Sequence, residues 1–194
     1  MKKIQDHYFK EARKQGYVAR SAFKLEEMDR KFRLLRRGQH VIDLGCAPGS
    51  WLQYAAKKVL PEGSLTGVDL KQVKIQFPES VRIFQSDISM LEESILASSR
   101  FDLVLSDMAP DTTGIPSVDS QRSYDLNSQA LSFAQRHLKP GGTLVLKAFQ
   151  GEPLNRLKSE IRPCFESLKL FKPKSSRSES VEIFVLGFGL LPQS

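Results

Sequence analysis

Short apolar runs alternate with longer stretches of helical periodicity along this chain. Runs at Val41–Leu44, Ser64–Val68, Val81–Gln85, Phe101–Ser106, Thr143–Lys147, Ser167–Phe171 and Val181–Phe188 read as strands. Between them, residues 51–59, 88–97, 121–138 and 153–163 carry helical patterning, whereas 71–80 is too short and polar for a helix. A further amphipathic helix is predicted over 18–34, with Ala22, Leu25, Met28 and Phe32 on one face. Pro140-Gly141-Gly142 stops the long helix and turns the chain into the fifth strand. This alternation predicts an α/β fold, a seven-stranded, mostly parallel sheet with helices on both faces. The segment Lys172–Ser180 is too short for a helical crossover, so the last two strands pair as an antiparallel hairpin. The last strand is therefore antiparallel, and its start lies at the same sheet edge as the ends of its parallel neighbours.

Length and composition narrow the class. The 194 residues suit a single domain spanning 1–194. A hydrophobic fraction of 40% with 26% charged residues describes a soluble globular protein. No apolar run approaches the roughly 20 residues of a membrane helix, and the N-terminus lacks the apolar core of a secretory signal. No membrane partner is expected. Cys46 and Cys164 give neither a disulfide framework nor metal-ligand spacing, so a reducing, cytoplasmic setting and no metal are expected. The net charge of +7 is segregated: residues 1–37 carry 12 Lys/Arg against 5 Asp/Glu, and residues 38–194 carry 17 of each. With Tyr8, Phe9, Tyr17, Phe23 and Phe32 interleaved, 1–37 reads as a basic RNA-binding extension and 38–194 as a catalytic core. A solvated amphipathic helix is the plainer alternative for the charge alone.

Candidate chemistry gathers at strand ends. Val41–Trp51 is a strand ending in an acid that runs into a glycine-containing loop, as a cofactor crevice requires. Gly45 and Gly49 let a ligand lie close to the backbone. The loop is not the G-x-G-x-x-G pattern that cradles a pyrophosphate. A nucleoside cofactor without phosphate, S-adenosyl-L-methionine, fits it better; an ordinary strand-to-helix turn also fits. Asp69 ends the second strand, where a carboxylate meets ribose hydroxyls. Asp87 follows the third, able to meet an adenine amino group or to cap a helix. Lys147, embedded in Leu-Val-Leu-Lys-Ala-Phe, needs a carboxylate, because a buried unpaired ammonium is costly. Asp107 at the neighbouring strand end and Glu182 at the start of the reversed strand can supply two. A structural ion pair is the simpler explanation for one lysine and one acid, but not for this convergence.

Five segments then carry a resemblance. Arg20-Ser21-Ala22-Phe23-Lys24-Leu25, Asp43–Trp51, Ser106-Asp107-Met108-Ala109-Pro110, Lys147-Ala148-Phe149-Gln150-Gly151 and Ser180-Val181-Glu182 resemble the FtsJ/RrmJ ribosomal RNA 2′-O-methyltransferases, in matching order over nearly the whole chain. The resemblance implies a Rossmann-like methyltransferase fold and a catalytic tetrad of Lys24, Asp107, Lys147 and Glu182, with Lys147 as base. It implies cofactor contacts at Gly49, Trp51, Asp69, Asp87 and Asp107, and a substrate of large-subunit ribosomal RNA or the subunit itself, handled by a monomer. Lys24 enters through the resemblance alone. Two departures stand out: Asp111 where asparagine is expected, and Ser50 where glycine or alanine is usual. Methylation of tRNA or capped RNA, or a non-catalytic RNA-binding ribosome-assembly role, are the alternatives. A nicotinamide oxidoreductase lacks its glycine pattern here, and amino-group methylation lacks its Asn/Asp-Pro-Pro-Tyr/Phe motif.

Overall fold

The computed structural model describes residues 2–91, 100–177 and 179–192, with side chains from His7 onward. Two helices, α1 (Lys2–Lys14) and α2 (Ala22–Phe32), precede β1 (His40–Leu44), α3 (Ser50–Val59), β2 (Ser64–Asp69) and β3 (Val81–Gln85). Then follow β4 (Phe101–Ser106), α4 (Pro116–His137), β5 (Leu138–Phe149), α5 (Glu152–Ile161), β6 (Phe165–Phe171) and β7 (Glu182–Leu190). The strands form one seven-stranded sheet in the order β3-β2-β1-β4-β5-β7-β6. β1 to β5 pair in parallel, and β7 runs antiparallel to both β5 and β6.

Alternation along the strands divides the core. Val41, Leu103, Leu105, Val145, Phe184 and Leu186 face α2 and α3. Ile42, Leu44, Val104, Leu144, Leu146 and Val185 face α4 and α5. Both faces are covered, which is why β1 and β4 read as near-continuous apolar runs. The N-terminal segment is part of this packing: Ala12, Tyr17, Phe23, Leu25, Met28 and Leu34 are buried beside α3. Among the described side chains its basic residues other than the buried Lys24 lie towards the outer face of a segment whose apolar face closes one side of the sheet.

The predicted strands fall where expected, β3 and β4 to the residue. The helix expected over 121–138 starts earlier, at Pro116, and three other elements also differ. The helix expected over 18–34 starts at Ala22, after a break at Gly16, whose φ is +75°. There the Gln53 side chain donates to the Gly16 carbonyl and accepts from the Val18 amide, pairing groups that a continuous helix would pair itself. The fifth strand begins at Leu138, because Leu138 already pairs with Phe101 before Lys139–Gly142 bulge out and regular pairing resumes at Thr143 opposite Leu103. The turn signal of Pro140-Gly141-Gly142 is real, but it makes a bulge within the strand. Of the helix expected over 88–97, a single 3-10 turn, Ile88–Met90, is seen, and 92–99 lie outside the described residues. Among the described residues no helix is long and apolar enough to cross a membrane.

Candidate active site

The ends of β1, β2, β3, β4 and β5 and the start of β7 meet at one edge, and the sheet order reverses between β1 and β4. That switch point is where open α/β sheets bind ligands. The loop after β1 is tied to β2 by amides of Gly45 and Cys46 that both donate to the Val68 carbonyl, at 2.8 and 3.2 Å. Gly45 has φ +77°, and a Cβ there would come within 2.9 Å of the Met108 amide nitrogen. Asp69 accepts from the Ala47 amide with one oxygen and the Lys71 amide with the other, both at 2.8 Å. Asp87 caps the short turn, accepting from the Ser89 hydroxyl at 2.6 Å and the Ser89 amide at 2.8 Å. Those bonds, the hydroxyl's first, hold its carboxyl below the usual range.

A cavity of about 580 Å³ opens between these groups. Gly45, Asp69, Asp87 and Asp107 line it, together with Asp111 and Asp125, against Lys71 and Arg122 as its basic residues. Such a lining repels a pyrophosphate and suits a nucleoside that carries positive charge. Beneath the loop, Asp43 is buried at 1% exposure, and neither carboxyl oxygen has a hydrogen-bond partner. Burial, then the Asp107 and Asp69 charges, push its carboxyl well above the usual range, with Lys147 opposing.

Gly49 and Trp51 sit behind the cavity wall. Gly49, at φ +108°, starts α3. The buried Trp51 stacks against Phe184 at 5.8 Å between ring centroids, and its indole N–H donates to the Ser21 carbonyl at 2.8 Å. Ser21 lies one turn ahead of Lys24 on α2, so Trp51 fixes the start of the helix that carries Lys24. The Ser50 hydroxyl meets the Ser21 hydroxyl at 2.7 Å, which gives this serine a place in the same α2–α3 seam.

The four residues of the expected tetrad form two ion pairs. Lys147 Nζ lies 2.9 Å from Asp107 Oδ1 and donates to the Asp107 carbonyl at 2.5 Å. Lys24 Nζ donates to both oxygens of Glu182, at 2.7 and 2.9 Å, and the Ser180 hydroxyl donates to Glu182 as well. Both lysines are buried, at 8% and 7% exposure for Lys24 and Lys147. β5 and β7 bring the pairs together, since Lys147 lies opposite Phe184 and Phe149 opposite Glu182 in the ladder. Burial alone would raise the Glu182 carboxyl, but Lys24, by charge and hydrogen bond, and then the Lys147 charge outweigh it and hold it below its usual range. The pair therefore contributes full stability above the ordinary carboxyl value of 4.5, and that contribution is lost as pH falls through the depressed value. Thermal denaturation between about pH 6 and pH 3 checks this. Glu182→Gln should flatten the acid limb of the stability curve, and a curve parallel to the parent's would refute the assignment.

A second cavity, about 510 Å³, lies on the far side of the loop after β4, with Arg20, Lys24, Phe149, Arg177 and Glu182 in its lining. Ala109 borders both cavities. The loop between them is held by Asp119, which accepts from the Thr113 amide and hydroxyl at 2.7 and 2.8 Å and the Gly114 amide at 3.1 Å. Asp119 and three other buried polar residues of α4, Ser120, Ser123 and Asn127, were not legible as site residues in the sequence. The available signal was polar residues recurring at 119, 120, 123 and 127 on the face the helix buries.

The geometry has close relatives. The model of the FtsJ-like methyltransferase family matches residues 17–190. The ribosomal RNA large subunit methyltransferase E of Oleidesulfovibrio alaskensis is 43% identical over 193 residues, covering 97% of this chain and 93% of its own. Its namesake from Desulfatibacillum aliphaticivorans is 46% identical over 186 residues, covering 95% and 90%. A Plasmodium falciparum chain, described as a ribosomal RNA methyltransferase, superposes with a TM-score of 0.81 at 27% identity, covering 91% of this chain and all of that one.

Proposed function

The chain belongs to the FtsJ-like methyltransferase family, and from that membership we propose that it methylates a ribose 2′-hydroxyl of large-subunit ribosomal RNA, with S-adenosylmethionine as donor. The observation that carries the reading is the Lys147–Asp107 ion pair at the edge of an acidic cavity fit for a cationic nucleoside. Asp107 lines that cavity, and Ala109, two residues on, separates it from a second cavity edged by guanidinium groups. The donor fits the first cavity through its acidic lining and through the close packing of Gly45 on Met108, two residues that form part of the cavity wall. Asp69 would hold the ribose hydroxyls, Asp87 the adenine edge, and Asp107 the amino-acid end. When bound, this cofactor supplies an electrophilic methyl group on a sulfonium.

Everything else falls to the chain's own residues. A ribose hydroxyl is a weak nucleophile and needs a base and close alignment. The Lys147 ammonium donates a hydrogen bond to the Asp107 carbonyl and is ion-paired with Asp107 Oδ1; among the described residues it has no other partner, so an ammonium position is open. That position receives the 2′-hydroxyl, and Lys147 accepts or steers its proton. Asp107 fixes the amine, Glu182 adds negative charge beside it, and Lys24 balances Glu182 and contacts RNA. Arg20 and Arg177 edge the second cavity, and neither is in an ion pair among the described residues. They hold phosphates on either side of the target nucleotide, contacts that position RNA without reading its sequence.

Labelled methyl transfer tests the reading, with purified large subunits, naked ribosomal RNA, tRNA and capped RNA assayed side by side and the modified atoms mapped. Large-subunit ribosomal RNA should be labelled on a ribose oxygen; label on a base, or in tRNA alone, would overturn it. Arg20→Ala should raise KM for RNA several-fold with little change in kcat. It should also reduce the salt dependence of binding by about 0.7 in log–log slope. An unchanged slope would remove Arg20 from the phosphate contacts.

A further inference from the structure

The base proposed above sits at the tip of a strand that has outrun its neighbour. β4 and β5 pair as far as Ser106 opposite Leu146, and β5 continues to Phe149. The Gln150 amide donates to the Val181 carbonyl on the β7 side. Main-chain groups alternate sides along a strand, so the Lys147 carbonyl and the Phe149 amide point the other way, where β4 has ended. Buried main-chain groups without partners are costly. Here α4 side chains replace the missing strand: Asn127 Nδ2 donates to the Lys147 carbonyl at 3.0 Å, and the Phe149 amide donates to Ser123 Oγ at 3.1 Å. Asn127 Nδ2 also donates to the Ser123 carbonyl at 2.8 Å, which locks the side chain in place. Both residues are 2% exposed, on a helix that also buries Asp119, Ser120, Ala130, Phe133 and Ala134.

We propose that Asn127 and Ser123 are positioning residues for Lys147, setting the main-chain geometry of the β5 tip from which its ammonium reaches Asp107. The inference rests on the assignment of Lys147 as the base. Neither residue itself lines either cavity, so each acts through the strand. Helix packing alone would be satisfied by an apolar residue at both positions; the hydrogen bonds to β5 require these two. Asn127→Asp keeps the shape but replaces the donor with an acceptor facing two carbonyls.

Single-turnover methyl transfer to large-subunit RNA tests the proposal in the full-length protein. Asn127→Ala should lower the rate by about tenfold or more, with KM for S-adenosylmethionine and for RNA within about twofold of the parent. In a Lys147→Ala background the same change should cost nothing further, because groups acting as a unit are non-additive. A rate loss that multiplies in the double variant, or one that appears in KM, would overturn it. Ser123→Thr should restore the rate lost in Ser123→Ala. Should Asn127→Ala fail to fold, that serine pair carries the test. A second readout needs no substrate. In protein with ¹³C-labelled lysine, the Lys147 side-chain resonance, assigned through Lys147→Arg, should shift in Asn127→Asp and Ser123→Ala. An unmoved resonance refutes the positioning role, whereas a moved resonance without methyl transfer to RNA refutes only the proposed reaction.

Discussion

Replacing Lys147 by alanine is expected to lower kcat for methyl transfer by about 10²–10⁴-fold, with S-adenosylmethionine affinity changed little. The side chain touches Asp107 through both the carboxylate and the carbonyl, and it is absent from the lining of the acidic cavity. Its loss therefore leaves the proposed cofactor contacts in place and removes the proposed base. Lys147→Arg separates two roles. A guanidinium keeps the charge but cannot release its proton. If Lys147 is the base, arginine is as inactive as alanine; if it acts only as a fixed cation, arginine retains much of the rate. Near-normal turnover in a folded Lys147→Ala variant would remove Lys147 from the chemistry.

Gly45→Ala is expected to damage fold and cofactor affinity together. A non-glycine residue at φ +77° costs about 1–3 kcal/mol. The new Cβ would also lie 2.7 Å from Met108 Cγ and 2.9 Å from the Met108 amide nitrogen. The side chain can swing aside, but the backbone cannot, because Asp107 N is bonded to the Leu44 carbonyl and the loop beyond is held by Asp119. Thermal denaturation should show a Tm loss of several degrees, at about 2–4 °C per kcal/mol for a chain of this size. Calorimetry with S-adenosylmethionine should show affinity weakened by about tenfold or more, since Gly45 and Met108 both line the cavity. Unchanged Tm and unchanged affinity would mean that the loop is not a cradle.

Elements that bury apolar residues at a clear period were readable from the chain. β3 and β4 match to the residue, and the reversed last strand follows from the short Lys172–Ser180 link. What escaped depends on partners distant in sequence. The break before α2 exists because Gln53, on another helix, supplies the hydrogen bonds for it. The early start of β5 needs Phe101 opposite Leu138. At the site, Asp107, Lys147 and Glu182 could be proposed from charge placed at strand ends. Lys24 looks like any surface helix lysine until α2 packs it to 8% exposure against Glu182. Asn127 and Ser123 look like flaws in an amphipathic helix, because what they satisfy is the main chain of a strand twenty or more residues away.

The reversed strand has a consequence for how the molecule is made. β7 comes last of the seven in sequence, yet it lies between β5 and β6. While the nascent chain is still short of Glu182, β5 and β6 have a strand-wide gap between them. Lys24 lacks its carboxylate partner, and Trp51 lacks the ring of Phe184. The strand that fills this gap also brings Glu182, the last member of the proposed tetrad in sequence, so the proposed site is complete only once β7 is in place.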